Sequence, residues 1–422
     1  LLHLVLADTG QPDPVYGNQL QIRSMYGGPD DPDGQPRLHG SLNGGPALGE
    51  ARVRIIYEPV NGSYPDGTTY ELLQPVYRLS ELSYGPMAEN IRFSPRVAPG
   101  LYGNGLLGAI DAQAIQAGAD PDDADGDGIS GRANIVPDPV TGQDQLGRFG
   151  HKADSASVLT QSARAYRNDM GLTNRFQPEE SCTPTQTACL AAAELEQPAA
   201  HEPEGVDIAD LDLAQVEFYA RTLAVPQRRG WDAANQRWSD DIQRGREQFF
   251  NIGCTGCHTP RWQTGTAAGS VLGDASLLTS LTQPAPAIAA LSGQVIWPYT
   301  DMLTHDMGGS CTVERRTAAG DACTDDTAGC MIEQRCTGLA DGVLEHQASG
   351  SEWRTAPLWG IGLVQTVNPA AGFLHDGRAR TLEEAVLWHG ESAQSEAAAA
   401  TEQFKNLPAR DRAAIMSFLE SM

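Results

Sequence analysis

Basic residues are scarce in this 422-residue chain. Lys and Arg together number 29 against 54 Asp and Glu, a formal charge of −25. Nucleic acid and anionic membrane surfaces would be repelled by such a balance; a basic partner suits it. Long apolar runs are also missing, and no stretch approaches the roughly 20 residues that a spanning helix needs. There is no initiator Met and no basic leader segment. The chain opens instead on LLHLVL, which reads like the middle of a strand in a mature or truncated form. No internal repeat is evident, and low-complexity sequence is confined to ESAQSEAAAA. The length suffices for two or three domains, each with its own core.

A second C-x-x-C is absent as well, and this gives weight to the one that is present. Cys254-Thr255-Gly256-Cys257-His258 stands alone. A structural zinc site would need another ligand pair. A thioredoxin-type dithiol would follow a strand in a βαβ unit, which the flanks do not suggest. A disulfide between the two cysteines is a competing reading. The spacing matches the attachment signature of a c-type haem. Two thiols can add to the vinyl groups on one edge of a porphyrin, and the next residue then offers an imidazole to the iron from below. Thr-Gly is a small pair that can follow the tight path required.

The flanks agree. Ser239-Asp240-Asp241 reads as a helix start, after which Ile242, Gly245, Phe249 and Ile252 recur at helical spacing. Pro408 opens a second segment in which Ile415, Phe418, Leu419 and Met422 share a face. Two such helices crossing, with Gly245 allowing close approach, would form the core of a cytochrome c-like domain.

Of eight cysteines, six lie outside this motif. Cys182 and Cys189 predict one local disulfide. Cys311, Cys323, Cys330 and Cys336 predict two more, with the pairing among the four left open. Disulfides imply an oxidising compartment, and the periplasm is where Gram-negative bacteria attach haem c.

RVRIIYEPV and TTYELLQPVYRL flank a Pro-Asp-Gly turn, a β-hairpin pattern. PDDADGDGISGRAN places Asp123, Asp125 and Asp127 in alternation before Gly128, like the opening of a calcium loop; the twelfth position is Asn134 rather than Glu, so calcium and a plain acidic turn both stand. Residues 151–175 look helical. Residues 206–226 predict a helix with Ile208, Leu211, Val216, Tyr219 and Leu223 mostly on one side. The domain boundary is expected near 205, after a polar linker ending in AAHEPEG. The expected fold class is mainly α, with large irregular loops, a β-hairpin region and a cytochrome c-like domain at the C-terminus.

YTDMLTHDMG, SGSEWRTAPLWGIGL, FLHDGRARTLEEAVLWHG, RVAPGLYGNGLL, DADGDGISGRAN and FYARTLAVPQRR together resemble a bacterial family. That family comprises di-haem c-type oxidoreductases, also called thiol oxidoreductases, related to di-haem cytochrome c peroxidases and MauG-type enzymes. The resemblance implies two haems c. One would be held at Cys254, Cys257 and His258 as an electron relay; the other, where peroxide reacts, would be attached upstream of this chain. Residues 1–205 would be the remainder of that upstream haem domain. Residues 206–422 would be the second haem domain, carrying a disulfide-rich insertion at 310–337, expected at the surface.

The same resemblance suggests site residues. An F-x-H-D-G motif containing His375 precedes the distal ligand by 14 residues in the peroxidase relatives, which leads to His389; Met307 and His305 are the alternatives. Thr381-Leu382-Glu383-Glu384 is a capping box for the helix leading to His389. His375 would contact haem or its propionates, with Arg354 and Arg378 as cationic neighbours. Gln161 and Asp169 correspond roughly to a catalytic Gln and acid beside the upstream haem, though spacing and residue type depart from the pattern. His151 lies where relatives have an aromatic between the haems. His3, His39, His201 and His346 read as structural. The partners implied are an electron-transfer protein or a small redox substrate; no second redox dithiol supports a thiol activity.

Overall fold

The structure, a computed structural model, describes residues 2–22, 49–187, 189–190, 205–273, 285–324, 327 and 329–422. His39, His201 and most of the AAHEPEG linker lie outside the described residues. Helix accounts for 25% and strand for 23%, the latter in several small sheets. The expectation of a mainly α fold is therefore corrected. Most of the strands are two to six residues long and pair in two-stranded sheets, too short for an alternating pattern to announce them.

The largest sheet is antiparallel. Strands β2 (Arg52–Ser63) and β3 (Thr69–Ser80) form the predicted hairpin. Its turn is closed by Asp66, whose carboxylate accepts from the Thr68 amide at 3.0 Å, and by Gly67 at φ 87°. Preceding them, β1 (Leu2–Leu6) pairs with β4 (Ile91–Pro95). Farther along, β5 (Thr304–Asp306) pairs with β8 (Glu352–Arg354). Between them β6 (Cys311–Arg316) and β7 (Met331–Cys336) form a hairpin. This hairpin is not an isolated surface loop. β7 pairs with β3, placing Ile332 opposite Leu79 and Gln334 opposite Tyr77, so the sheet order is β6-β7-β3-β2. Cys311–Cys336 ties its two strands, Cys323–Cys330 closes its tip, and Cys182–Cys189 is the third disulfide.

Six helices matter here: α1 (Val158–Met170), α2 (Asp210–Thr222), α3 (Asp240–Asn251), α4 (Leu382–Trp388), α5 (Ala398–Asn406) and α6 (Ala409–Glu420). The face assigned to α2 needs correcting. Leu213, Ala214, Glu217 and Ala220 are buried and Tyr219 is exposed. Small Ala side chains and the Glu217–Arg221 ion pair permit a contact that a search for large apolar residues overlooks. The α3–α6 pair follows expectation. Ile242, Phe249, Ile415, Phe418, Leu419 and Met422 are all buried in one core. A Cβ on Gly245 would stand 1.9 Å from the Ala414 carbonyl oxygen, so only Gly permits this crossing. Tyr64 and Leu72 from the β2–β3 hairpin enter the same core. Among the described residues no helix is long and apolar enough to cross a membrane.

Candidate functional site

Helix α3 ends at Asn251, and Gly253 adopts φ 88°, turning the chain out of the helix. Cys254–Gly256 then forms a single tight turn, and the His258 amide donates to the Cys254 carbonyl at 3.0 Å. This winding closes the chain from Cys254 to His258 into one compact turn. A Cβ on Gly256 would meet the Ile129 side chain at 2.3 Å, so the segment after the acidic loop packs directly on the turn.

Cys254 and Cys257 stay outside any disulfide. As free thiols both are pushed up by burial, Cys254 to about 12. A redox-active dithiol needs a depressed thiol pKa, so this environment suits cysteines that are capped rather than ionised. His258 Nδ1 donates to the Tyr299 carbonyl at 2.8 Å, which leaves Nε2 as the atom with a lone pair. Burial lowers the His258 pKa to about 4, so the ring is neutral near pH 7.

His389 repeats this arrangement. Thr381 caps α4 by accepting from the Glu384 amide at 3.1 Å, and His389 is the C-terminal cap of that helix. Its Nδ1 donates to the Ala385 carbonyl at 2.6 Å, and burial lowers its pKa. Neither imidazole makes an Nε2 hydrogen bond among the described residues, and the two are close enough for His389 to disfavour charge on His258. Next to His389, the indole N–H of Trp388 is buried with no partner. A neutral pair of imidazoles, each with one nitrogen tied to a carbonyl and the other open, and an orphaned donor beside them fit a haem.

His305 is placed differently. Its Nε2 lies 2.7 Å from Asp301 and its Nδ1 2.9 Å from Glu396, and it also lies against the Cys257 sulfur. Burial opposes charge there, but hydrogen bonds to Asp301, Cys257 and Glu396 outweigh it and push the pKa up to about 12. An imidazolium donating from both nitrogens has no lone pair for a metal. Met307 is buried among the core residues, its amide donating to the Ser351 carbonyl.

His375 stacks on Trp353 at 3.8 Å between centroids and 12° between planes, and burial lowers its pKa to about 3. Arg378 is ion-paired to Asp376 at 2.9 Å, donates to the Gly338 carbonyl at 2.7 Å, and lies over the Trp388 ring. The Arg354 guanidinium donates to the Gly150 and Thr355 carbonyls, at 2.9 and 3.2 Å, and among the described residues forms no ion pair. Burial lowers its pKa to about 10, against the opposing pull of the Asp154 and Asp301 carboxylates. His151 Nε2 donates to the Val97 carbonyl at 2.7 Å, and the ring meets Trp353 edge-on; burial and Arg96 lower its pKa to about 4.

Gln161 and Asp169 are not brought together. Both lie on α1, separated by about 12 Å of helix rise. The Gln161 carbonyl oxygen is buried without a partner, whereas Asp169 is exposed and accepts from Gln19 at 2.8 Å. In the acidic loop Asp120, not Asp127, joins Asp123 and Asp125. Oxygens of Asp120, Asp123 and Asp125 lie within 4.8 Å of one another, while Asp127 caps the Ile129 amide at 2.8 Å. Asp123 and Asp125 also accept from the Gly128 and Asp127 amides, so the loop is held by its own carboxylates. His3 pairs with Glu345, and His346 is pushed down by burial.

Sequence reasoning did not find Tyr299, Trp353 or Trp388. Trp388 carried a signal, because a buried indole N–H beside a ligand position needs a partner. The Tyr299 carbonyl carried none.

The family described as "Di-haem oxidoreductase, putative peroxidase" matches residues 37–324 and 326–422. The chain belongs to that family. No curated protein matches the sequence. Among solved structures, the hydrazine synthase of Kuenenia stuttgartiensis is 14% identical and covers 57% of this chain and 63% of its own, with a TM-score of 0.26. No fold relation follows from that value. The chain spans less than two thirds of that protein.

Proposed function

We propose that this di-haem oxidoreductase family member carries the electron-relay haem of a peroxidase-like enzyme, as haem c on Cys254 and Cys257 with His258 and His389 as axial ligands. The observation that carries this reading is the matched pair of neutral imidazoles, both with Nδ1 bonded to a carbonyl and Nε2 open. Bound there, haem supplies a one-electron redox centre. The protein's share is to fix both tautomers, exclude water by burial, and set an electrostatic field with the His305 clasp. His258 and His389, if both held the haem, would leave no open position for peroxide, so the peroxide chemistry is assigned to the family's other haem. Residues 206–422 form the relay unit in this reading, and residues 1–205 belong with the upstream haem, including Gln161 and Asp169.

His375, Arg354 and Arg378 serve as the propionate side, Arg354 being the one of the two arginines whose guanidinium hydrogen-bonds only to backbone carbonyls among the described residues. Calcium is assigned to Asp120, Asp123 and Asp125, supported by their converging oxygens. Three disulfides and haem c support a periplasmic or other extracytoplasmic setting. The partner is an electron-transfer protein, or a protein oxidised as MauG-type enzymes do.

Optical and EPR spectra of the haem-loaded chain test the reading. The expected result is a low-spin haem and negligible peroxidase turnover. A high-spin, peroxide-reactive haem in this chain overturns it.

A further inference from the structure

Strand β2 has a neighbour on one side only among the described residues, since the sheet order ends on it. It is 12 residues long, and Ile55, Ile56 and Tyr57 are consecutive and exposed by 45, 37 and 48%. A long apolar edge of this kind is a template for another strand, and natural proteins blunt or cover such edges. Among the described residues nothing covers the centre of β2, and its charges and Pro59 stand to either side of Ile55–Tyr57.

The register with β3 decides which amides face outward. Tyr57 lies opposite Pro75, and Pro59 opposite Leu73. Proline cannot donate to a ladder, so odd-numbered residues of β2 bonded inward would lose a donor at both places. Odd residues therefore turn outward, and Val53, Ile55 and Tyr57 offer both N–H and C=O to an incoming strand.

Charge selects what can arrive. Arg54 sits opposite Arg78, a like-charge pair, and makes no ion pair among the described residues. Arg52 is already held by Glu81 at 2.9 Å. Glu58 is half exposed, sharing Arg335 at 2.8 Å. A second β2 running antiparallel about Ile56 puts Ile55 opposite Tyr57 and Arg54 opposite Glu58, each twice. Both members of the Ile55–Tyr57 pairs have outward amides, and the ladder stops at the flanking Val53–Pro59 pairs, where proline has no N–H to give. A parallel approach in register would instead oppose Arg54 to Arg54.

We propose that β2 is the interface through which two copies of this chain pair, antiparallel and centred on Ile56. The sheets of the two copies join into one of eight strands, which covers the β2 edge of each copy.

Sedimentation velocity on the full haem-loaded chain, with Arg54→Glu and Glu58→Arg, tests this. Both positions are exposed, so the variants retain the fold, checked by circular dichroism. The wild type is expected to dimerise. Each single variant places like charges opposite each other twice and weakens the dimer by about tenfold or more. An equimolar mixture of the two restores opposite charges at both positions, and a mixed dimer at wild-type strength is expected. A wild type that stays monomeric at every attainable concentration overturns the proposal, as does a dimer that neither variant weakens. Hydrogen-exchange protection of the β2 amides in a monomeric wild type would assign the edge to another part of the chain and overturn it equally.

Discussion

His258 Nδ1 lies 2.8 Å from the carbonyl oxygen of Tyr299, a residue whose own φ is 54°. A bulky residue in the left-handed region costs about 1–3 kcal/mol and persists where its surroundings impose it. Here that conformation aims a carbonyl at the imidazole and fixes which nitrogen remains open. The Tyr299 ring packs edge-on against Phe249 and Phe418, so the α3–α6 core holds the carbonyl in place.

Replacing His389 by Ala removes the proposed distal ligand. The haem-loaded variant is expected to shift from low to high spin and to bind imidazole or cyanide added to the solution. An unchanged spectrum would move the ligand to Met307, because both nitrogens of His305 are already donating to carboxylates.

Gly245→Ala should damage the α3–α6 crossing. The added Cβ falls 1.9 Å from the Ala414 carbonyl oxygen, a backbone atom that cannot swing aside. A loss of about 3 kcal/mol is expected from the forced separation, read as a lower urea midpoint. Because α3 leads straight into Cys254, the yield of attached haem should fall with it. An unaltered midpoint would mean that the helices do not cross at this distance.

These two helices are the most legible part of the chain. Apolar residues at helical spacing, around a glycine in one segment and after a proline in the other, specify a packed pair, and the C-x-x-C-H spacing marks the proposed haem site locally. The mixed fold is less legible, since β6–β7 joins β3 across about 250 residues of sequence and nothing local announces that pairing. The same holds at the site. His258 and His389 are candidates picked out by motif and count, but their tautomers depend on the Tyr299 and Ala385 carbonyls. The burial of Leu213, Ala214 and Glu217 on α2 depends on what packs there, which periodicity alone does not record.

Acid should weaken the protein partly through Asp376. Burial opposes its charge, but Arg378, His375 and the Tyr77 hydroxyl outweigh that and hold its pKa below the ordinary carboxylate value. A depressed folded pKa means stability that is present above the unfolded value of about 3.9 and is lost as pH falls below it. Asp376→Asn leaves Arg378 buried without its counter-charge, with an expected loss of about 3–5 kcal/mol at pH 7. That deficit should shrink at pH 3. Equal deficits at the two pH values in urea titrations would contradict the assignment.

Calcium binding is tested by isothermal titration of calcium chloride into chelator-treated protein. One ion per chain is expected at the acidic loop, lost in Asp123→Asn, with a higher melting temperature when it is bound. No heat and no thermal shift would leave the loop as a turn held by its own Asp side chains.

Attachment of haem to the C-x-x-C-H turn is tested most directly by peptide-level mass spectrometry of the chain produced in cells competent for cytochrome maturation. One haem per chain is expected, surviving acid-acetone extraction, on the peptide that contains Cys254, Cys257 and His258. Recovery of that peptide with two unmodified thiols, a disulfide or bound zinc would contradict it.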